Sequence, residues 1–214
     1  PADSAQLTAI QRTSLKVLGS TERRWQEIFA ANGSNYPAPT LVFYSGSGQS
    51  GCGAAQSAMG PFYCPADRKI YIDTDFFQEL ETRMDAPGDF PIGYVIAHEV
   101  GHHIQTITGT SDKVRQAQQR ASQEEGNALQ VKMELQADCY AGVWAARDQN
   151  LMEPGDLEEG LRAAHQIGDD TLMKAAGRRP VEAMFTHGSA EQRMLWLKRG
   201  LDSGDPAACD TFTS

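Results

Sequence analysis

The sequence predicts an α+β fold, mainly helical, with one small sheet. Three observations predict it. Apolar residues recur at helical spacing between recognisable caps over most of the chain. Two short runs rich in β-branched and aromatic residues, 41–45 and Lys69–Asp73, read as strands. The 214 residues, 40% hydrophobic and 22% charged, contain no repeat, low-complexity stretch or linker, so residues 1–214 are expected to form one domain around a real core. Within it, 1–35 reads as N-terminal helices and 40–212 as the core.

Residues 4–18 carry Leu7, Ile10, Leu15 and Leu18 at helical spacing, and Gly19 is expected to end that helix. Thr21 would cap a second helix whose stripe is Trp25, Ile28 and Phe29 and whose stop is Gly33. LVFYS follows as a strand, then a glycine-rich stretch, 46–60, read as a loop. Lys69–Asp73 places Ile70 and Ile72 on one face and Tyr71 on the other, and Phe76–Arg83 reads as a helix capped by Asp73 or Thr74. The next helix spans about 90–108, with Pro91 in its first turn and Gly109 as its C′ residue. A polar stretch, 110–126, gives way to an unusually apolar helix, 127–149, which should be central. A further helix begins near 153 and carries His165, read as a core or surface histidine. The last helix opens on the capping box Ser189/Gln192.

The net charge of −9 and pI of about 5.0 argue against a nucleic-acid partner. The longest apolar runs, such as Leu41–Tyr44 and Tyr94–Ala97, are far too short to span a bilayer. The opening Pro1-Ala2-Asp3 carries no signal-peptide pattern, which leaves room for a removed leader or an anchor upstream. Four cysteines without a Cys-x-x-Cys pair suggest two disulfides, Cys52–Cys64 and Cys139–Cys209, the alternative being buried free thiols. Disulfides would place the protein outside the reducing cytoplasm, secreted, periplasmic or at the cell surface.

The chemistry concentrates in HEVGH, residues 98–102. On a helix, His98 and His102 share one face a turn apart and can aim two imidazoles at one metal ion. Glu99, beside the first of them, is placed to act as a general base on water. A catalytic zinc needs a third protein ligand. A histidine six residues after the second is ruled out, because Gln105 and Thr108 occupy the relevant positions of the HExxHxxGxxH frame. Glu134 is the best candidate, because a carboxylate in so apolar a helix needs a partner, and Asp138 lies one turn further on the same face, where it can accept the free N–H of a ligand imidazole. Glu124 and Glu125 compete from a polar stretch but lack an Asp one turn on.

HEVGHH, then ELQADCYAGVW, with GPFYCPADRKIYIDTDFF before and FTHGSAEQR and CDTF after, resembles the bacterial neutral zinc metallopeptidases, of the gluzincin branch of HExxH peptidases, over about residues 40–212. The resemblance implies a mainly helical zincin-like fold with a small antiparallel sheet beside the HExxH helix. It implies zinc held by His98, His102 and Glu134, with Glu99 as base and acid and Asp138 orienting a ligand histidine. It also implies that the sheet edge receives a peptide or unfolded-protein substrate as an added strand. The longer spacing between His102 and Glu134 leaves 110–126 without an assigned role.

For the oxyanion, His187 in THGSAEQR is the candidate carried by the resemblance, with Arg193, Tyr63 and Tyr140 as alternatives. His103 points about 100° away from His102 on an ideal helix and is not expected to be a ligand. The expected activity is zinc-dependent endopeptidase cleavage. The alternative is a zinc-binding, proteolytically silent or latent protein acting as a chaperone or interaction module, against which an intact Glu99 argues.

Overall fold

A computed structural model describes residues 8–45, 47–56, 61–75, 89–148, 154–167 and 188–213. The fold is α+β and mostly helical. Helices α1 (Ala9–Ala31), α2 (Asp89–Ile107), α3 (Thr110–Arg120), α4 (Gln123–Arg147), α5 (Pro154–Ile167) and α6 (Ala190–Ser203) accompany strands β1 (Thr40–Tyr44), β2 (Ser47–Ser50), β3 (Gly53–Gln56), β4 (Phe62–Cys64) and β5 (Lys69–Asp73). A 3₁₀ turn, Pro206–Cys209, precedes the C-terminal residues.

The N-terminal region is one helix, where the sequence suggested two. Gly19 does not end α1, because the buried stripe Ile10, Ser14, Val17, Thr21, Trp25 and Ile28 runs straight past it. Ser20, on the buried side, donates to Asp148 and accepts from Trp144 Nε1 at 2.9 Å, which ties the middle of α1 to the end of α4. Those contacts outweigh the roughly 1 kcal/mol that glycine costs inside a helix. Thr21 donates its hydroxyl to Leu18 O instead of capping a new helix.

The main sheet has the order β1-β5-β4 and is mixed, not antiparallel throughout: β1 runs parallel to β5 on one edge, and β4 runs antiparallel to it on the other. Tyr71 is buried, like Ile70 and Ile72, so β5 is covered on both faces, as a central strand should be. The stretch expected to be a loop contains an antiparallel hairpin, β2–β3. Two anchors hold the hairpin tip. Cys52 is joined to Cys64 with an S–S distance of 2.04 Å, and Asp67 Oδ2 accepts the Gly51 N–H at 2.9 Å. The expected helix 76–83 lies outside the described residues.

Helix α2 packs against α1, α4 and α5, so it is central to the helical layer. Helix α4 opens on a capping box, Ser122 with Glu125, and is buried continuously from Met133 to Ala145. Its far side meets α6 at backbone contact: a Cβ on Gly200 would lie 2.0 Å from Cys139 O, and one on Gly142 2.3 Å from Leu197 O. The second disulfide, Cys139–Cys209, closes at 2.02 Å and fastens the tail along α4. Both cysteine pairs thus form as the sequence suggested. Among the described residues, no helix is long and apolar enough to cross a membrane.

Candidate metal centre

Two helices build the site. Helix α2 supplies His98, Glu99 and His102, and α4 supplies Glu134 and Asp138. They approach closely because of Gly101 inside HEVGH. A Cβ there would stand 2.9 Å from both Cα and O of Ala137, which lies between Glu134 and Asp138.

One ligand atom from each of His98, His102 and Glu134 falls within 4.8 Å of the others. Nε2 of His98 lies 3.0 Å and Nε2 of His102 2.5 Å from Glu134 Oε2, and the two Nε2 atoms are 3.1 Å apart. The other ring nitrogens are already committed. His98 Nδ1 faces Asp138 Oδ1 at 2.7 Å, and His102 Nδ1 faces Gln105 Oε1 at 2.8 Å. Both oxygens accept only, so both Nδ1 atoms carry hydrogen, and in the neutral rings both Nε2 atoms present lone pairs. Two nitrogen lone pairs and a carboxylate oxygen meeting at one place repel unless positive charge sits among them. Two imidazoles and a carboxylate with an open side fit a divalent cation of catalytic type.

Asp138 is fully buried and anchors a second layer. It accepts from Arg193 Nε at 2.9 Å and from the hydroxyl of Tyr94, and Arg193 also donates to that hydroxyl. Burial alone would raise the Asp138 carboxyl, but the Arg193 guanidinium and the His98 ring hold it down to about 2. Burial works against a charged His98, yet the Asp138 and Glu134 carboxylates outweigh it and push the metal-free ring up to about 10. His102 is raised in the same way, burial being overcome chiefly by Glu134.

The site opens on a cleft of about 740 Å³. Glu99, His102 and Thr106 of α2 line it together with Gln130, Met133 and Glu134 of α4. One wall is β4 and the turn after it, with Phe62, Tyr63 and Arg68, and the other is α3, with Ser111, Val114, Arg115 and Gln118. The segment 110–126, without a role in the sequence, therefore supplies a wall of the cleft. Its Gln118 reaches Gly126 O and Gln130 Oε1, bracing α3 on α4.

The other candidates separate clearly. His103 is buried away from the convergence point, with Nδ1 2.8 Å from Tyr63 OH and Nε2 donating to Pro37 O at 2.5 Å. Tyr63 lines the cleft, but its hydroxyl proton is committed to His103, because Nε2 holds that ring's hydrogen. Tyr140 packs edge-on against Trp25, 5.5 Å between centroids, within the core. Arg193 is spoken for by Asp138 and Tyr94. Glu124 and Glu125 sit exposed in the first turn of α4, Glu125 in its capping box. His187 lies outside the described residues, and so does the side chain of His165.

Sequence reasoning missed Tyr94, Gln105 and Gln136. Tyr94 had a signal, since it stands four residues before His98 on the same helical face. Gln105, three residues after His102, had one too, and Gln136 had none.

A family model described as "Putative neutral zinc metallopeptidase" matches residues 2–212. The chain belongs to that family. Among relatives, "Uncharacterized protein YpfJ" of Escherichia coli is 54% identical over 198 residues, covering 92% of this chain and 69% of the relative. "Uncharacterized protein Rv2575" of Mycobacterium tuberculosis is 42% identical over 192 residues, covering 84% of this chain and 64% of the relative. No solved structure matches the chain. Family membership and the convergence of His98, His102 and Glu134 point to the same metal chemistry by separate routes.

Proposed function

We propose that this chain is a zinc-dependent endopeptidase that hydrolyses peptide bonds in extended or unfolded protein substrates. The observation that carries the reading is the convergence of three lone-pair donors beside Glu99 at the base of an open cleft. His98, His102 and Glu134 would hold the zinc. When bound, zinc supplies a Lewis acid that polarises a carbonyl and acidifies water.

The remaining roles belong to the chain. The Glu99 carboxylate takes the proton of the attacking water and delivers it to the leaving amine. Asp138 holds the hydrogen of His98 on Nδ1, and Arg193 with Tyr94 keeps Asp138 ionised and in place. The outer strand β4 borders the cleft, so a substrate can lie along it as an added strand. His187 is proposed as the oxyanion donor on the resemblance of its segment alone. The two disulfides support an extracytoplasmic location.

Unfolded casein incubated with the zinc-loaded protein should be cleaved, cleavage should stop with a chelator, and it should return with added zinc. A preparation that binds zinc yet cleaves no peptide or unfolded protein would reject the peptidase reading and favour a silent binding protein.

Zinc affinity should also depend on pH, with a predictable sign. A proton on His98 competes with the metal, and that ring is raised to about 10 in the metal-free chain. Affinity therefore rises with pH, by up to about tenfold per unit, until the ring has lost its proton near the raised value. Stability of the metal-free protein runs the other way. The His98 contribution is full below the ring's ordinary value of 6.5 and is lost as pH rises through about 10. Chelator competition and thermal melting across this range check both, and a pH-independent affinity would contradict them.

A further inference from the structure

Two buried glutamines connect the metal centre to the C-terminal tail. Gln136 Nε2 donates to the backbone carbonyl of Cys209 at 3.0 Å. A carbonyl only accepts, so the Gln136 amide has one orientation, with Oε1 turned towards Gln105. Gln105 Nε2 donates to that oxygen at 2.9 Å and to Met133 O at 2.8 Å. Its Oε1 is thereby turned to His102 Nδ1, at 2.8 Å. Either amide reversed would set N–H against N–H and carbonyl against carbonyl in a buried place, at about 1–3 kcal/mol for each unsatisfied group. Two backbone carbonyls, of Met133 and Cys209, thus decide the direction of every bond in the chain.

We propose that Gln105 and Gln136 are positioning residues that fix the tautomer of His102, so that the disulfide-held tail helps determine metal affinity. The reading rests on the metal site proposed above. The end of the relay is placed by the Cys139–Cys209 bridge, which holds the Cys209 carbonyl against α4 three residues beyond Gln136. Helix α2 and the tail therefore meet through one side chain of α4, Gln136, whose bonds run to Gln105 and the Cys209 carbonyl. The two ligand rings are also held differently. His98 is backed by a carboxylate and His102 by a neutral amide, which orients the ring without adding another buried negative charge. A glutamate at 105 could not substitute cleanly, because its second oxygen would face the Met133 carbonyl and Gln136 Oε1.

The test measures zinc affinity by chelator competition in the wild type, Gln136→Met, Gln105→Met and the double variant. It also records the histidine ring ¹⁵N and N–H signals of the zinc-loaded wild type. Each single variant should bind zinc about 10–100-fold more weakly, the usual cost of losing an outer partner of a metal-bound histidine. The double variant should be no weaker than Gln105→Met, because Gln136 acts only through Gln105. The wild-type spectrum should show His102 carrying its hydrogen on Nδ1. Affinity within twofold of wild type in Gln136→Met, with its disulfide formed and its melting unchanged, would overturn the relay, as would additive losses in the double variant. A His102 hydrogen on Nε2 would overturn it even if no variant folds. A wild type that takes up no zinc would remove the metal reading and the relay with it, whereas normal zinc uptake with unaffected variants removes the relay alone.

Discussion

In the Glu99→Gln variant, zinc content is expected to stay at the wild-type level while casein hydrolysis falls by about 10²–10⁴-fold, the range supplied by a positioned general base. Glu99 follows His98 on α2, so its side chain leaves the helix in a different direction, and it borders the cleft without joining the three convergent ligands. Glutamine matches its size and fills the same space, so the fold and the ligand set are preserved. The amide cannot take a proton from water. Metal analysis and a cleavage assay on the same sample check the pair of outcomes. Full turnover in the variant would end the general-base role, and lost zinc would show that Glu99 helps bind the metal.

Gly101→Val should be the most damaging single change within HEVGH, although the HExxH pattern survives it. The first added atom, Cβ, would already stand 2.9 Å from Cα and O of Ala137. Those are backbone atoms of a buried helix, so no side chain can swing aside. Two further methyls force α2 and α4 apart at the residue between Glu134 and Asp138. Overpacking of this kind costs about 1–3 kcal/mol, or roughly 3–10 °C in melting temperature for a chain of this size. The metal should suffer more than the fold, because both carboxylates ride on the displaced helix, and at least about a tenfold loss of zinc affinity is expected. Unchanged melting and unchanged affinity would show that the helices can separate without cost.

The helical half of the fold was legible because its signals are local. Ser189 with Gln192 and Gly109 at φ +85° behave as the sequence suggests. The errors came where distant contacts decide. Gly19 reads as a stop until Asp148 and Trp144, far along the chain, are seen holding Ser20. The hairpin at 47–56 has almost no apolar alternation, and what fixes it is the anchoring of its tip by Cys64 and Asp67. The parallel pairing of β1 with β5 is a property of topology that neither strand encodes alone. In the candidate site, the residues that converge carry strong chemical type at helical spacing. Gln105 and Gln136 carry neither, since a glutamine is ordinary until the carbonyls around it are known. The role of α3 was equally hidden, because a cleft wall exists only once the opposite wall is in place.

The buried charges at the centre have an uneven inventory. Among the described buried residues there, Glu99, Glu134 and Asp138 contribute three carboxylates, and Arg193 contributes one guanidinium. With both imidazoles neutral, these four groups sum to two negative charges at the base of the cleft. A dication cancels that excess, a monovalent ion leaves the centre anionic, and a trivalent ion overshoots. On that sum, charge alone favours a divalent ion, before ionic radius or coordination preference enters. Among the described residues, Arg193, which touches no ligand atom of the convergent set, lowers that sum by one: without its charge the same four-group cluster would be one electron-charge too negative for a dication to neutralise.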